Sequence, residues 1–123
     1  MLDHVSIGVA DIEKSADFYE SVLAHIGLLK LMANTHTVGF GKNYPEFWLN
    51  HRPQINRTEE DNGVHICLRA KTSDAVDAFF AAALERGATS DGHPGPRSQY
   101  SNSYYSAFIR DFDGNKIEVV TFV

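Results

Sequence analysis

Two histidines occupy the same place in two similar stretches of this chain, and one carboxylate stands where an apolar residue is expected. Laid 61 residues apart, "HVSIGVADIEKSADFYESVLAHIG" and "HICLRAKTSDAVDAFFAAALERGA" follow one plan: His4 meets His65, Val5 meets Ile66, Phe18 meets Phe79 and Leu23 meets Leu84. The carboxylate is Glu118, in the closing run "KIEVVTF", where alternation puts it on the face of Val120 and Phe122 and leaves Ile117, Val119 and Thr121 on the other. An ionised carboxylate buried without a partner is costly, so this position means a paired charge, a metal, or a face open to water. Two imidazoles and one carboxylate are a donor set for a divalent cation that keeps positions free for substrate, an arrangement known for non-haem iron(II).

Side chains far apart in sequence meet only if the elements carrying them are alike. Each copy opens with a short alternating strand and runs into an amphipathic helix. In the first helix Ile12, Ala16, Tyr19, Leu23 and Ile26 follow helical spacing, Asp11 is the expected N-cap and Gly27 the stop. In the second, Val76, Phe79, Phe80, Ala83 and Leu84 form the stripe, Thr72 or Ser73 caps, and Gly87 stops. Phe18, Tyr19, Phe79 and Phe80 are therefore expected to be core and nothing more. Strand-like runs follow each helix: "LLKLMA", "HTVGF" and "EFWLN" in the first half, and a brief "ATSD", then "YYSAFIRD" and "KIEVVTF" around the turn "DFDGN" in the second. The plan is βαβββ used twice, an α+β fold, with module one over about residues 1–51 and module two over about 63–123 of a single domain. Residues 91–102, "DGHPGPRSQYSN", carry two prolines and two glycines and are expected to form an irregular loop. On the first strand His4, Ser6 and Gly8 share a face, and on its counterpart His65, Cys67 and Arg69 do, both away from the helices. Glu118 can face the same way, so the three donors are expected to converge.

Composition narrows the partners. A chain of 123 residues with 43% hydrophobic and 22% charged residues suits one soluble domain, and its net charge of −5 lacks the clustered Lys and Arg that nucleic-acid binding draws on. A small-molecule substrate is expected, with no nucleic-acid or membrane partner. Cys67 is the only cysteine, which rules out an intrachain disulfide, and "MLDHVSIGVADIEK" lacks the basic start and apolar core of a signal peptide; both suggest a cytoplasmic setting. No P-loop, dinucleotide fingerprint or nucleophile elbow is present.

The opening "DHVSIGVADIEKSADFYESVLAHIGL", the module-two start "GVHICLRA" and above all the ending "FIRDFDGNKIEVV" together resemble the vicinal oxygen chelate superfamily, which includes glyoxalase I, bleomycin-resistance proteins, fosfomycin-resistance transferases and extradiol dioxygenases. The resemblance implies curved sheets forming a cup around a divalent metal (Fe, Mn, Ni or Zn), with His4, His65 and Glu118 as its ligands. It also implies a homodimer in which the site can be shared between subunits. The fourth ligand of the glyoxalase I pattern falls on Trp48, which can neither ligate nor act as a base, unless a register slip brings up Glu46. The expected function is a metal-dependent enzyme of lyase, isomerase or transferase type that chelates its substrate through adjacent oxygens. Two alternatives remain open: an iron(II) ring-cleaving dioxygenase, which would need a further histidine such as His36, His51 or His93 as base, and a metal-free drug- or metabolite-binding protein.

The pocket is expected to take Trp48 as a wall, Arg97 to hold an anionic group, and Tyr100, Tyr104 or Tyr105 to donate a hydroxyl. Packing of these aromatics onto the sheet or in a dimer interface is the alternative. Cys67 is expected to be a small buried hydrophobe. His25, His36, His51 and His93 have no repeat partner and are expected in surface or loop positions.

Overall fold

The computed structural model describes residues 1–123, and the repeat plan is realised in it. Module one runs β1 (Val5–Val9), α1 (Ile12–Leu23), β2 (Leu29–Ala33), β3 (Thr37–Gly41) and β4 (Pro45–His51); module two runs β5 (Ile66–Arg69), α2 (Ser73–Glu85), β6 (Thr89–Pro96), β7 (Tyr104–Arg110) and β8 (Lys116–Phe122). Each module folds into its own four-stranded mixed sheet, ordered β1-β4-β3-β2 and β5-β8-β7-β6. The first strand of each module lies parallel to the last: the helix returns the chain to the same end of the sheet before the second strand, and two antiparallel turns then bring the last strand back to that direction.

Local chemistry fixes both helices. Asp11, in extended backbone, accepts a hydrogen bond from the Lys14 N–H at 3.0 Å, and Thr72 accepts from the Ala75 N–H at 3.1 Å. Each such cap is worth roughly 1 kcal/mol. After α1 a short 3₁₀ turn over Ala24–Ile26 ends at Gly27, whose φ of 84° lies in the left-handed region that a glycine enters without strain. Phe18, Tyr19, Phe79 and Phe80 are buried in one cluster that joins both helices to both sheets.

Three expectations change. Residues up to Pro96 of the proline- and glycine-rich segment belong to β6. That strand is an edge, so Pro94 and Pro96 lose no ladder donor that the sheet requires, and register shifts at Ser90/Gly92 and Gly92/Gly95 absorb the misfit. Tyr19 is more than core: its hydroxyl donates at 2.6 Å to Asp111 in the "DFDGN" turn. Cys67 is exposed rather than buried: it lies on β5, the edge of its sheet, although Glu118 beside it on the same face is buried. No helix is long and apolar enough to cross a membrane.

Candidate functional site

Glu118 is central to module two. It lies on β8 with Cys67 beside it on β5 and Phe108 beside it on β7, so all three share the face away from the helices. The residue is only 2% exposed. Its charge is met from two sides: His65 Nε2 approaches Oε1 at 3.0 Å, and the Tyr104 hydroxyl donates to Oε2 at 2.6 Å. A carboxylate can only accept, so the imidazole is the donor in the first contact. The His65 side chain remains 40% exposed, leaving this pair at the wall of an open cavity of about 450 Å³.

The cavity has an aromatic side and a charged rim. Tyr100, Tyr104 and Phe108 form the first, with Tyr100 edge-on to Tyr104 at 4.9 Å. Lys116 and Asp61 form the second; Lys116 Nζ lies 3.4 Å from carboxylate oxygens of both Asp61 and Asp91, and 5.1 Å from the centre of the Phe108 ring. The backbone N–H of Gly63, then Lys116, hold the Asp61 carboxyl below its usual range. Desolvation, then the Glu118 carboxylate, push the Tyr104 hydroxyl well above the ordinary phenol range. The Cys67 sulfur adjoins Glu118 and Tyr104 although the residue as a whole is exposed; loss of water around it, then the charge of Glu118, raise the thiol to about 12.

The other expected site residues divide. Arg97 stands over Phe108 with its guanidinium 5.8 Å from the ring centre, but its N–H groups are directed to backbone carbonyls, His93 O at 2.7 Å and Gly95 O at 3.2 Å. No carboxylate neutralises it within ion-pair distance. Tyr105 takes the opposite face from Tyr104, as alternation requires, and donates to Asp77 of α2 at 2.7 Å. Trp48 pairs with Ser6 as Glu118 pairs with Cys67, which makes Trp48 the module-one counterpart of Glu118 and leaves Glu46 out of that place. Trp48 lies on the other sheet and does not line the cavity around Glu118. His4, just before β1, is bonded through Nδ1 to its neighbour Asp3 at 2.7 Å with its side chain 52% exposed. His36 and His51 stack on each other, His93 lies against Phe80, and none of the three lines this cavity.

As a place for a divalent cation the site is half built. A neutral imidazole nitrogen and a carboxylate oxygen that face each other at 3.0 Å are chemically suitable donors for Mn, Fe, Ni or Zn. Within one chain, however, no group of three His, Cys, Asp or Glu side chains gathers to hold an ion, and His4 is not brought to His65 and Glu118. The sequence reading missed Lys116, Phe108 and Asp61. The first two were findable, since Lys116 is two residues from Glu118 and Phe108 its cross-strand neighbour; Asp61 comes from the segment between modules, which has no periodic signal.

Comparison with known proteins agrees with the fold. The family model described as Glyoxalase/Bleomycin resistance protein/Dioxygenase superfamily matches residues 1–119. The chain is 31% identical over 121 residues to a metallothiol transferase FosB from Shouchella clausii (strain KSM-K16), covering 98% of this chain and 79% of that protein. A crystal structure of a glyoxalase/bleomycin resistance protein from Albidiferax ferrireducens T118 is 30% identical and superposes with a TM-score of 0.85 over 98% of each chain. A fosfomycin resistance protein, FosX, from Listeria monocytogenes, solved as a variant with Mn(II) and 1S,2S-dihydroxypropylphosphonic acid, superposes with a TM-score of 0.73 over 100% of this chain and 90% of that one. At 18% identity that last likeness is one of fold alone.

Proposed function

The chain belongs to the glyoxalase/bleomycin resistance protein/dioxygenase superfamily, and from that premise we propose that it is a divalent-metal-dependent enzyme acting on a small substrate with neighbouring oxygens. The observation that carries this reading is the pairing of His65 Nε2 with a buried Glu118 at 3.0 Å on an otherwise open face. Among the reaction types of the family, the likeness to a metallothiol transferase favours transfer of a thiol to the substrate. A bound cation would supply Lewis-acid stabilisation of negative charge developing on a substrate oxygen.

This chain's own residues do the rest. His65 and Glu118 hold the cation, and Tyr100 and Phe108 limit the space beside it. Arg97, held over Phe108 by backbone carbonyls and with no carboxylate within ion-pair distance, attracts an anionic group on the substrate. His4 completes the donor set from a second copy of the chain, with both modules of each copy acting as one domain. The protein is then a homodimer with shared sites, and Trp48 of module one closes the cup from the partner's side.

The test is metal analysis of protein purified without chelator, before and after reconstitution with Mn(II), Fe(II), Ni(II) or Zn(II), with turnover of fosfomycin and a panel of small thiols assayed in parallel. Bound metal lost in His65→Ala and Glu118→Ala, and thiol transfer abolished by EDTA, are expected. Absence of metal after every reconstitution would overturn the reading and favour a metal-free binding protein. Ring-cleaving dioxygenation gains no support from the site, since His65 is the only histidine that lines it and none of His36, His51 and His93 is there to act as base.

A further inference from the structure

The Tyr104 hydroxyl is expected from sequence to serve the substrate, yet its single proton is already committed, 2.6 Å from Glu118 Oε2. The ring reaches that oxygen from some distance along the sheet. Tyr104 pairs across the ladder with Phe122, whereas Glu118 pairs with Phe108, so the side chain lies back along the open face. Edge contacts hold it there, to Phe122 at 5.4 Å and Tyr100 at 4.9 Å. The other carboxylate oxygen, Oε1, is the one facing His65. Glu118 is almost without solvent, so no water stands ready to replace a lost donor.

We infer that Tyr104 is a positioning residue that pins Glu118 Oε2 and so holds Oε1 toward His65, making Oε1 the carboxylate oxygen that would be presented to a cation. This rests on the metal reading above. A hydroxyl donor takes one lone pair of Oε2 and fixes the plane of the carboxylate, so Oε1 keeps its place beside the imidazole instead of turning away. Groups that orient a metal ligand in this way typically matter by about 10-fold to 100-fold in metal affinity.

The test compares wild type with Tyr104→Phe, which keeps the ring and its edge contacts, and with Tyr105→Phe, which loses a structural hydrogen bond on the opposite face. Mn(II) affinity is read by titration, and coordination by the visible d–d absorption of Co(II)-loaded protein. Tyr104→Phe is expected to weaken Mn(II) binding about 10-fold or more and to alter the Co(II) band as Glu118 loses its fixed orientation. Tyr105→Phe is expected to lower the melting temperature while leaving affinity and spectrum unchanged. Wild-type affinity and an unaltered Co(II) spectrum in Tyr104→Phe would overturn the inference while the metal reading stands. A wild type that binds neither ion would overturn both.

Discussion

Cys67 shows what alternation conveys about a residue and what it does not. The pattern of β5 puts Cys67 on the face of His65, and the structure agrees, since its register partner is Glu118. Alternation does not say whether a face is covered, so a lone cysteine read as buried turns out exposed. Loss of water around its sulfur, then the adjoining Glu118 carboxylate, nevertheless raise the thiol from an ordinary 9.0 to about 12. At pH 8 the thiolate population should fall by a factor near a thousand, while the stronger nucleophilicity of a high-pKa thiolate recovers part of the loss. The expected alkylation by iodoacetamide is roughly 40-fold slower than for an ordinary accessible thiol. Glu118→Gln removes the neighbouring charge and should raise that rate. A wild-type rate equal to that of a free thiol, followed by mass spectrometry, would mean that the sulfur does not lie against Glu118.

At the scale of elements, the turn between β7 and β8 joins the modules. Asp111 accepts from the backbone N–H groups of Asp113 and Asn115, each at 2.9 Å, and from the Tyr19 hydroxyl on α1. Asn115 donates to Gly8 O at 2.9 Å, Asp113 accepts from the Ala10 N–H at 3.1 Å, and Arg57 donates to Asp111 O at 2.7 Å. Tyr19→Phe should therefore cost about 1–3 kcal/mol at pH 7. Burial, then Asp111, raise the Tyr19 hydroxyl well above 10.0. A raised folded-state pKa stabilises below the unfolded value and is lost as pH climbs from that value toward the folded one. The stability gap between wild type and Tyr19→Phe, measured by urea midpoints, should accordingly narrow above about pH 10. A gap constant from pH 7 to pH 10.5 would refute the pairing. Gly114, at φ 82°, faces the Thr58 carbonyl so closely that a Cβ would collide with it. Gly114→Ala should lower the urea midpoint by an amount equivalent to at least about 1 kcal/mol. The sequence marked "DFDGN" as a turn because Asp, Gly and Asn carry local signals. Its reach back to Tyr19 was not legible, since a contact across 92 residues leaves no period. The edge position of β6 escaped for the same reason: the prolines were visible, and the one-sided pairing that tolerates them was not.

The whole molecule raises the question of where the third donor comes from. The duplication was legible, because helix and strand periods recur 61 residues apart, and so was the place of His65 and Glu118 on one face. What no single-chain pattern reveals is which module faces which. Here the helices of the two modules share one core, while both first strands are sheet edges with His4 and His65 at their starts. Leu2, Leu29, Met32 and Phe122 are exposed apolar side chains. If His4 of one chain serves His65 and Glu118 of another, two defective variants must complement. In a heterodimer of His4→Ala with Glu118→Ala, one site loses both groups and the other keeps all three. Random exchange makes half the dimers mixed, each with one of two sites whole, so mixing should restore about a quarter of wild-type metal occupancy and activity from two variants that have almost none. Light scattering should give a dimer mass for each variant alone. Restoration near a quarter is obtainable only if the site spans two chains, whereas a dimer with no restoration would put each site within one chain and require His4 to reach Glu118 by a rearrangement of its own module.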